Sequence, residues 1–176
     1  ITTSDADAAE TEPGKIQLSL SVAHGTLKLA TLQDITLDSG ADESDTMTLS
    51  ATPTQLNTAL EGLVYTPDLN YNGDDTLALS LNDLGLTGSG GTLTVAGDVI
   101  LTLNSINDAP VISFPNPPTI DEDTIYTFST ALTNGISLAD VDIDASPMTI
   151  ALSVNDGTLK LGSTADILFN AGIDES

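Results

Sequence analysis

The stretch LSLSVAHGTLKLATLQDITLDSGADES, residues 18–44, decides the fold of this chain because it occurs twice. Residues 150–176 read IALSVNDGTLKLGSTADILFNAGIDES, and 14 of the 27 positions are identical at a constant offset of 132 residues, without a gap. Two of the three lysines, Lys28 and Lys160, occupy matching positions. A long fixed period is the mark of a repeat protein. The chain therefore carries about one and a third copies of a unit of about 132–135 residues.

Apolar and polar residues alternate within each copy, which predicts β-strands with one buried and one exposed face. The first copy alternates over residues 16–22 and the second over residues 148–154. Glycine-containing pairs, such as residues 24–25 and 72–73, separate the alternating segments and are typical of turns. The sequence therefore predicts β-sandwich units built from antiparallel strands.

One segment departs from the β pattern and predicts a helix. TPTQ at residues 52–55 is a capping box with proline at the first helical position. Leu56, Leu60 and Leu63 follow at helical spacing, so each unit should carry one short helix that packs on the strands. The expected core comprises the inward-facing strand residues together with two helix leucines: Leu20, Val22, Leu27, Leu79, Leu101, Leu103, Leu56 and Leu60.

The composition excludes several classes of function. The chain has 26 acidic residues, 3 lysines and a formal net charge of −23. Nucleic acid is excluded as a partner because its binding depends on basic residues, and anionic membranes and phosphate-rich cofactors are excluded for the same reason. No apolar run approaches a membrane span, so membrane insertion is not expected. An acidic, cysteine-free β-protein composition is typical of secreted or surface proteins of bacteria, and it offers neither disulfides nor thiolate metal sites.

Six short motifs, in this order along the chain, resemble a known family. They are YTPD (65–68), NYNG (70–73), NDLG (82–85), NDAP (107–110), DEDT (121–124) and DVDID (140–144). Together they resemble the cadherin-like, or tandem-95/VCBS-type, repeats of giant bacterial surface adhesins. The resemblance implies Ig-like Greek-key β-sandwiches in tandem, with Ca²⁺ at the junctions. It divides the chain into residues 1–106, a repeat without its first strands, and residues 107–176, the first half of the next repeat.

The resemblance also implies which residues bind calcium. The linker, the loop that opens the second repeat and the base of the first repeat would together supply the ligands of one junction. Glu122 would face the next junction, and Asp83, Asp5 and Asp7 the preceding one. The ligands assigned to the central junction are Asn107, Asp108, Asp140, Asp142, Asp144, Asn72 and Asp74.

Calcium fits this set chemically because it takes six to eight hard oxygen ligands from carboxylates, carbonyls and water. Two better-known calcium loops do not fit. An EF-hand loop beginning at Asp140 would need glycine and glutamate where Ala145 and Ala151 stand. The glycines at residues 88–91 lack the aspartate that a calcium-binding β-helix repeat requires. The alternative to a calcium site is that these acids only solvate the surface.

Catalysis is not expected, and the sequence predicts a non-enzyme. The single histidine, His24, is replaced by Asp156 in the second copy. Aromatic residues make up only 3% of the chain, which disfavours a sugar-processing cleft around paired carboxylates.

Three functions therefore stay open. The favoured one is a calcium-rigidified extender repeat of a surface adhesin or extracellular fibre, with neighbouring repeats or identical chains as partners. The others are a homopolymer subunit that exchanges strands and a calcium-dependent carbohydrate-binding module; in an adhesin, other domains would contact carbohydrate or cell-surface ligands.

Overall fold

The structure is a computed structural model that describes residues 1–5, 14–85 and 91–170. The chain divides into two compact units, Ile1–Asn107 and Asp108–Ser176. The repeat boundary expected from the sequence lies one residue earlier. Among the described residues, no helix has the length and apolar character that crossing a membrane requires.

The described part of the first unit contains seven strands, formed by segments that alternate in polarity, and one α-helix. In chain order they are β1 (Ile16–Ser21), β2 (Gly25–Lys28), β3 (Thr36–Gly40), β4 (Thr46–Ala51), α1 (Pro53–Leu60), β5 (Val64–Pro67), β6 (Gly73–Asn82) and β7 (Thr94–Leu103). Five of the strands form one antiparallel sheet in the order β3-β4-β1-β6-β7, and β2 and β5 form a second, two-stranded sheet. The prediction of a mostly antiparallel β-structure with one helix is confirmed for this unit.

The core lies on one face of the five-stranded sheet, where the apolar residues of the alternating pattern point. Leu18 pairs with Leu49 of β4 on one side and with Leu81 of β6 on the other, so their side chains share this face. Leu27 of β2 is buried in the same cluster, so the two-stranded sheet packs on this face of the five-stranded sheet. The opposite face of the sheet carries mainly serine and threonine and is more exposed to solvent.

Helix α1 closes this core and begins where the capping box predicts. The Thr52 hydroxyl accepts a hydrogen bond from the Gln55 N–H, and the Gln55 side chain accepts one from the Thr52 N–H. Leu56 and Leu60 are buried among the strand residues, as expected. Asn57, on α1, binds the backbone of Thr3 through its side-chain amide, which holds the first described residues against the helix.

The core is narrower than the sequence predicts. Leu20, Val22 and Leu27 are buried, whereas Leu79, Leu101 and Leu103 are only half-buried. These three lie on the predicted face, but the two short strands β2 and β5 do not extend over β7. The predicted full burial of these three leucines is therefore wrong, although their register is correct.

The second unit is less regular. It pairs β8 (Val111–Ser113) with β9 (Ser137–Ala139) in an antiparallel ribbon, with one 3₁₀ turn at Thr130–Leu132 between them. The strand predicted over residues 148–154 does not form, and its apolar residues are exposed. In the first unit the matching strand, β1, bonds to β4 and β6, and residues 108–170 contain no counterpart of either. A strand without a neighbour has no ladder of hydrogen bonds to hold it.

Candidate functional site

The pairing of β8 with β9 brings part of the predicted calcium set together. Val111, at the start of β8, pairs with Ala139, at the end of β9. Asp108 lies just before the first strand and Asp140 just after the second, so both lie at the same end of the ribbon. Three carboxylate-bearing residues of this region, Asp108, Asp140 and Asp142, are linked by hydrogen bonds and define what we call the acidic cluster.

Backbone hydrogen bonds connect the acidic cluster. The Asp108 N–H donates to the carboxylate of Asp142, and the Asp142 N–H donates to Oδ1 of Asp140 at 2.9 Å. Asp144 follows in a left-handed backbone conformation, with φ of +47°. Within the cluster, Asp140 is half-buried, and Asp108 and Asp142 are exposed. Hydrogen bonds thus link the three residues of the cluster, and their side chains reach solvent.

The predicted ligands of the first unit, Asn72 and Asp74, are positioned by the β6–β7 hairpin. Asp74 is at the beginning of β6 and pairs with Thr102 near the end of β7, and its Oδ1 accepts a hydrogen bond of 2.8 Å from the Thr102 hydroxyl. Asn72 directly precedes this strand, and Asn107 follows the end of β7. Asn72 and Asp74 thus lie at the end of the β6–β7 hairpin from which the chain continues to Asn107.

Three of the ligands assigned to the outer junctions, Asp83, Glu122 and Asp5, lie within the described residues. Asp83 closes the other end of the β6–β7 hairpin: its Oδ1 accepts from the N–H of Leu93 at 2.7 Å and of Gly85 at 2.8 Å. These backbone hydrogen bonds, that from Leu93 first, lower the pKa of Asp83. Glu122 is exposed in a turn, Asp5 lies in the first described segment, and Asp7 lies outside the described residues. Within residues 1–5, 14–85 and 91–170, no three acidic or histidine side chains are arranged to hold a metal ion.

A second site, which the sequence analysis missed, is centred on Asp75. This residue is only 2% exposed, although it lies in β6 next to the exposed Asp74. Its carboxylate accepts hydrogen bonds from the N–H groups of Ala23 and His24, both at 3.0 Å, and from its neighbour Thr76 at 2.7 Å. The Tyr65 hydroxyl lies 2.8 Å from the same carboxylate and 2.7 Å from the His24 carbonyl.

The Asp75 site joins both sheets of the first unit. Ala23 and His24 form the turn between β1 and β2, Tyr65 belongs to β5, and Asp75 belongs to β6. A signal for it was present in the sequence, because Asp75 occupies an inward position of the alternation that continues with Leu77 and Leu79. A charged residue at such a position requires buried hydrogen-bond partners.

The protonation states of this site are fixed around neutral pH. Burial opposes ionisation of Asp75, but the hydrogen bonds from Ala23, Tyr65, His24 and Thr76 outweigh it and lower the pKa to about 2. Burial, followed by the hydrogen bond to Asp75 and its negative charge, raises the pKa of Tyr65 to about 12. Asp75 is therefore ionised and Tyr65 protonated near pH 7. The pair holds the two sheets of the first unit together and does not exchange protons near that pH.

The residues that the repeat preserves have structural roles in the first copy. Lys28 and Glu43 form an exposed ion pair, and the Leu29 N–H donates to Asp42 Oδ1 at 2.9 Å. The Ser44 hydroxyl bonds to the carbonyls on both sides of the β3–β4 turn. All five residues are identical in the second copy. The repeated sequence therefore encodes the contacts that shape β2 and the β3–β4 turn.

Comparisons of the chain with protein-family models, with curated proteins and with solved structures found no match.

Proposed function

We propose that this chain is part of a structural extender in a secreted or cell-surface bacterial adhesin, in which β-sandwich repeats of Greek-key type are joined by calcium-binding linkers. The observation that carries the proposal is the ungapped repeat of residues 18–44 at residues 150–176. The repeated sequence keeps the residue types that form the core and the turn contacts in the first copy, which is expected of a protein built by tandem copying of one unit.

Calcium at the linker is the second part of the proposal. The net charge of −23 opposes a compact arrangement of the units unless cations offset it. The acidic cluster is where a cation would act most directly, because Asp108 lies at the beginning of the second unit and is hydrogen-bonded to Asp142. Asn107, together with Asp74 or Asn72, would supply the remaining oxygen ligands from the first unit. Bound calcium would then stiffen the joint.

The calcium part is tested by titrating CaCl₂ into the full chain in a calorimeter and by melting the chain with calcium and with EDTA. We expect saturable binding and a higher melting temperature with calcium, because a ligand that binds only the folded state stabilises it by mass action. The double variant Asp140→Asn/Asp142→Asn should lose both effects.

The matched control is Asp156→Asn/Asp166→Asn, which removes two negative charges from exposed positions of the same unit. It should retain calcium binding and the thermal shift. Equal losses in the two double variants would show that calcium acts only through general charge screening. No binding heat and an unchanged melting temperature in the parent chain would contradict the calcium proposal.

A further inference from the structure

The apolar face of the first unit continues beyond the part that is covered. In the β6–β7 register Leu77 lies opposite Val99 and Leu81 opposite Val95, so all four side chains point to the core face. Leu77 is buried, but Val99 is 41% exposed and Val95 is 64% exposed. We call the core-facing surface of β6 and β7 the open face. Apolar surface of this kind, next to a packed core, is typical of a surface that another element covers.

The second sheet ends just short of the open face. Leu27 of β2 bridges to Ser44, near the beginning of β4, whereas the hydroxyl of Tyr65 in β5 bonds to Asp75 of β6. Hence β2 faces the part of the five-stranded sheet that contains β4, and β5 faces the part that contains β6. The edge of β5 that does not pair with β2 is directed towards β7. One or two more strands on that edge would cover the open face.

The ribbon of β8 and β9 in the second unit has the complementary character. Ile112 pairs with Leu138, and both side chains lie on one side of the ribbon, where Phe114 and Ile136 continue the alternation. All four are exposed, and Phe114 is 75% exposed. An isolated two-stranded ribbon is only marginally stable in water, so it gains from a sheet to join.

The ribbon and the open face are also electrically compatible. Residues 111–120 and 124–139 contain no charged side chain, in a chain with 26 acidic residues. The open face is likewise uncharged from Leu77 to Leu81 and from Val95 to Val99, apart from Asp98, which points to the opposite side. Contact between them would therefore bury no carboxylate, and burying an unpaired charge is costly.

We propose that the β8–β9 ribbon of one copy of this chain adds to the outer edge of β5 in a second copy, with Ile112 and Leu138 against the open face. The two-stranded sheet then becomes four-stranded and lies opposite all of the five-stranded sheet. Strand addition of this kind satisfies the backbone groups of an exposed edge. The donor and acceptor surfaces differ, so the contact is head-to-tail and propagates along a line of copies. It uses none of the acidic cluster, so it stands independently of the proposed calcium joint.

The test is the mass of the full chain in solution, measured by light scattering over a range of concentrations in EDTA and 0.5 M NaCl, where charge repulsion is screened. We expect the mass to rise above 18.0 kDa with concentration. Val99→Asp on the open face and Ile112→Asp on the ribbon should each give monomers. Two controls place the same charge on the opposite side of the same strand: Ile100→Asp in β7 and Ser113→Asp in β8 should associate like the parent chain.

A mixture of the two monomeric variants is the decisive measurement. The Val99→Asp chain retains an intact ribbon and the Ile112→Asp chain retains an intact open face, so an equimolar mixture should form a dimer of twice the monomer mass that grows no further. This result also shows that neither variant had simply unfolded. A parent chain that is monomeric at every concentration would overturn the proposal, whether the ribbon folds back on its own chain or stays unpaired. A mixture that stays monomeric, with both variants folded by circular dichroism, would overturn it as well.

Discussion

Replacing Asp75 with asparagine tests whether the buried carboxylate holds the first unit together. The substitution keeps the size of the side chain but removes its charge and turns one acceptor oxygen into an NH₂ group. Three backbone N–H groups and the Tyr65 hydroxyl point at the present carboxylate. The new NH₂ group would face donors, so at least one of them loses its partner in a buried place.

The expected loss follows from the number of buried groups left without a partner. Each costs about 1–3 kcal/mol, so one or two of them lower the free energy of unfolding by about 1–6 kcal/mol. Tyr65→Phe removes the hydroxyl that bonds to the charged group and to the His24 carbonyl, and it should cost about 1.5–3 kcal/mol. Asp98→Asn removes the same charge from an exposed position on β7 and should change stability by less than about 0.5 kcal/mol.

The assay is urea unfolding followed by far-UV circular dichroism at pH 7, with the full chain and the three variants. It can be repeated at lower pH to isolate the charge of Asp75. The pKa of this group is about 2 in the folded protein and has an ordinary value of 3.8, so folding favours the ionised form. Its contribution of about 2 kcal/mol is complete above pH 4 and is lost as the pH falls towards 2.

The advantage of the parent chain over Asp75→Asn should therefore shrink between pH 4 and pH 2. If the Asp75→Asn and Asp98→Asn chains are equally stable at pH 7, the reasoning is refuted. The buried carboxylate would then stabilise the fold no more than an exposed charge does.

Three further substitutions test other parts of the first unit in the same urea titration. Gly40→Ala should destabilise by at least about 1–3 kcal/mol, since φ is +76° and the added Cβ would lie 2.2 Å from the Thr46 carbonyl oxygen, whereas Gly97→Ala, with open space around it, should be close to neutral. Leu49→Ala, fully buried, should cost about 2–5 kcal/mol, and Leu79→Ala distinctly less because that side chain is only half-buried; equal costs would contradict the narrow core. Thr52→Ala should cost about 1 kcal/mol through loss of the capping box, and no difference from the exposed Thr54→Ala would show that the cap does not matter.

The sequence correctly predicted those features of the fold that depend on residues close together in the chain. The capping box at Thr52 and Gln55 determines where α1 begins, and the polar alternation determines which face of β1 and β6 is buried. The two copies of the repeat show the limit of such signals. Residues 18–44 and 150–176 share 14 of 27 positions, yet the described part of the second copy, residues 150–170, forms no strand. Its β1 has β4 and β6 as neighbours, and strand formation depends on those partners as well as on the segment itself.

The sequence indicated which acidic residues would meet only where they lie beside strands that pair with each other. Asp108 meets Asp142 because β8 and β9 pair, whereas Asp83 is occupied by the backbone of its own hairpin. The Asp75 site was missed because its partners, Ala23 and His24, are about fifty residues away in sequence and bind through backbone N–H groups, which no residue pattern reveals.

The calcium-stiffened joint is tested most directly by small-angle X-ray scattering from the monomeric fraction of the full chain, recorded with calcium and with EDTA. If calcium holds the two units in one arrangement, its removal should broaden the distribution of interatomic distances and raise the apparent flexibility, and Asp140→Asn/Asp142→Asn should show the broad distribution even in calcium. Identical scattering curves with calcium and with EDTA would contradict the extender proposal in its calcium-dependent form.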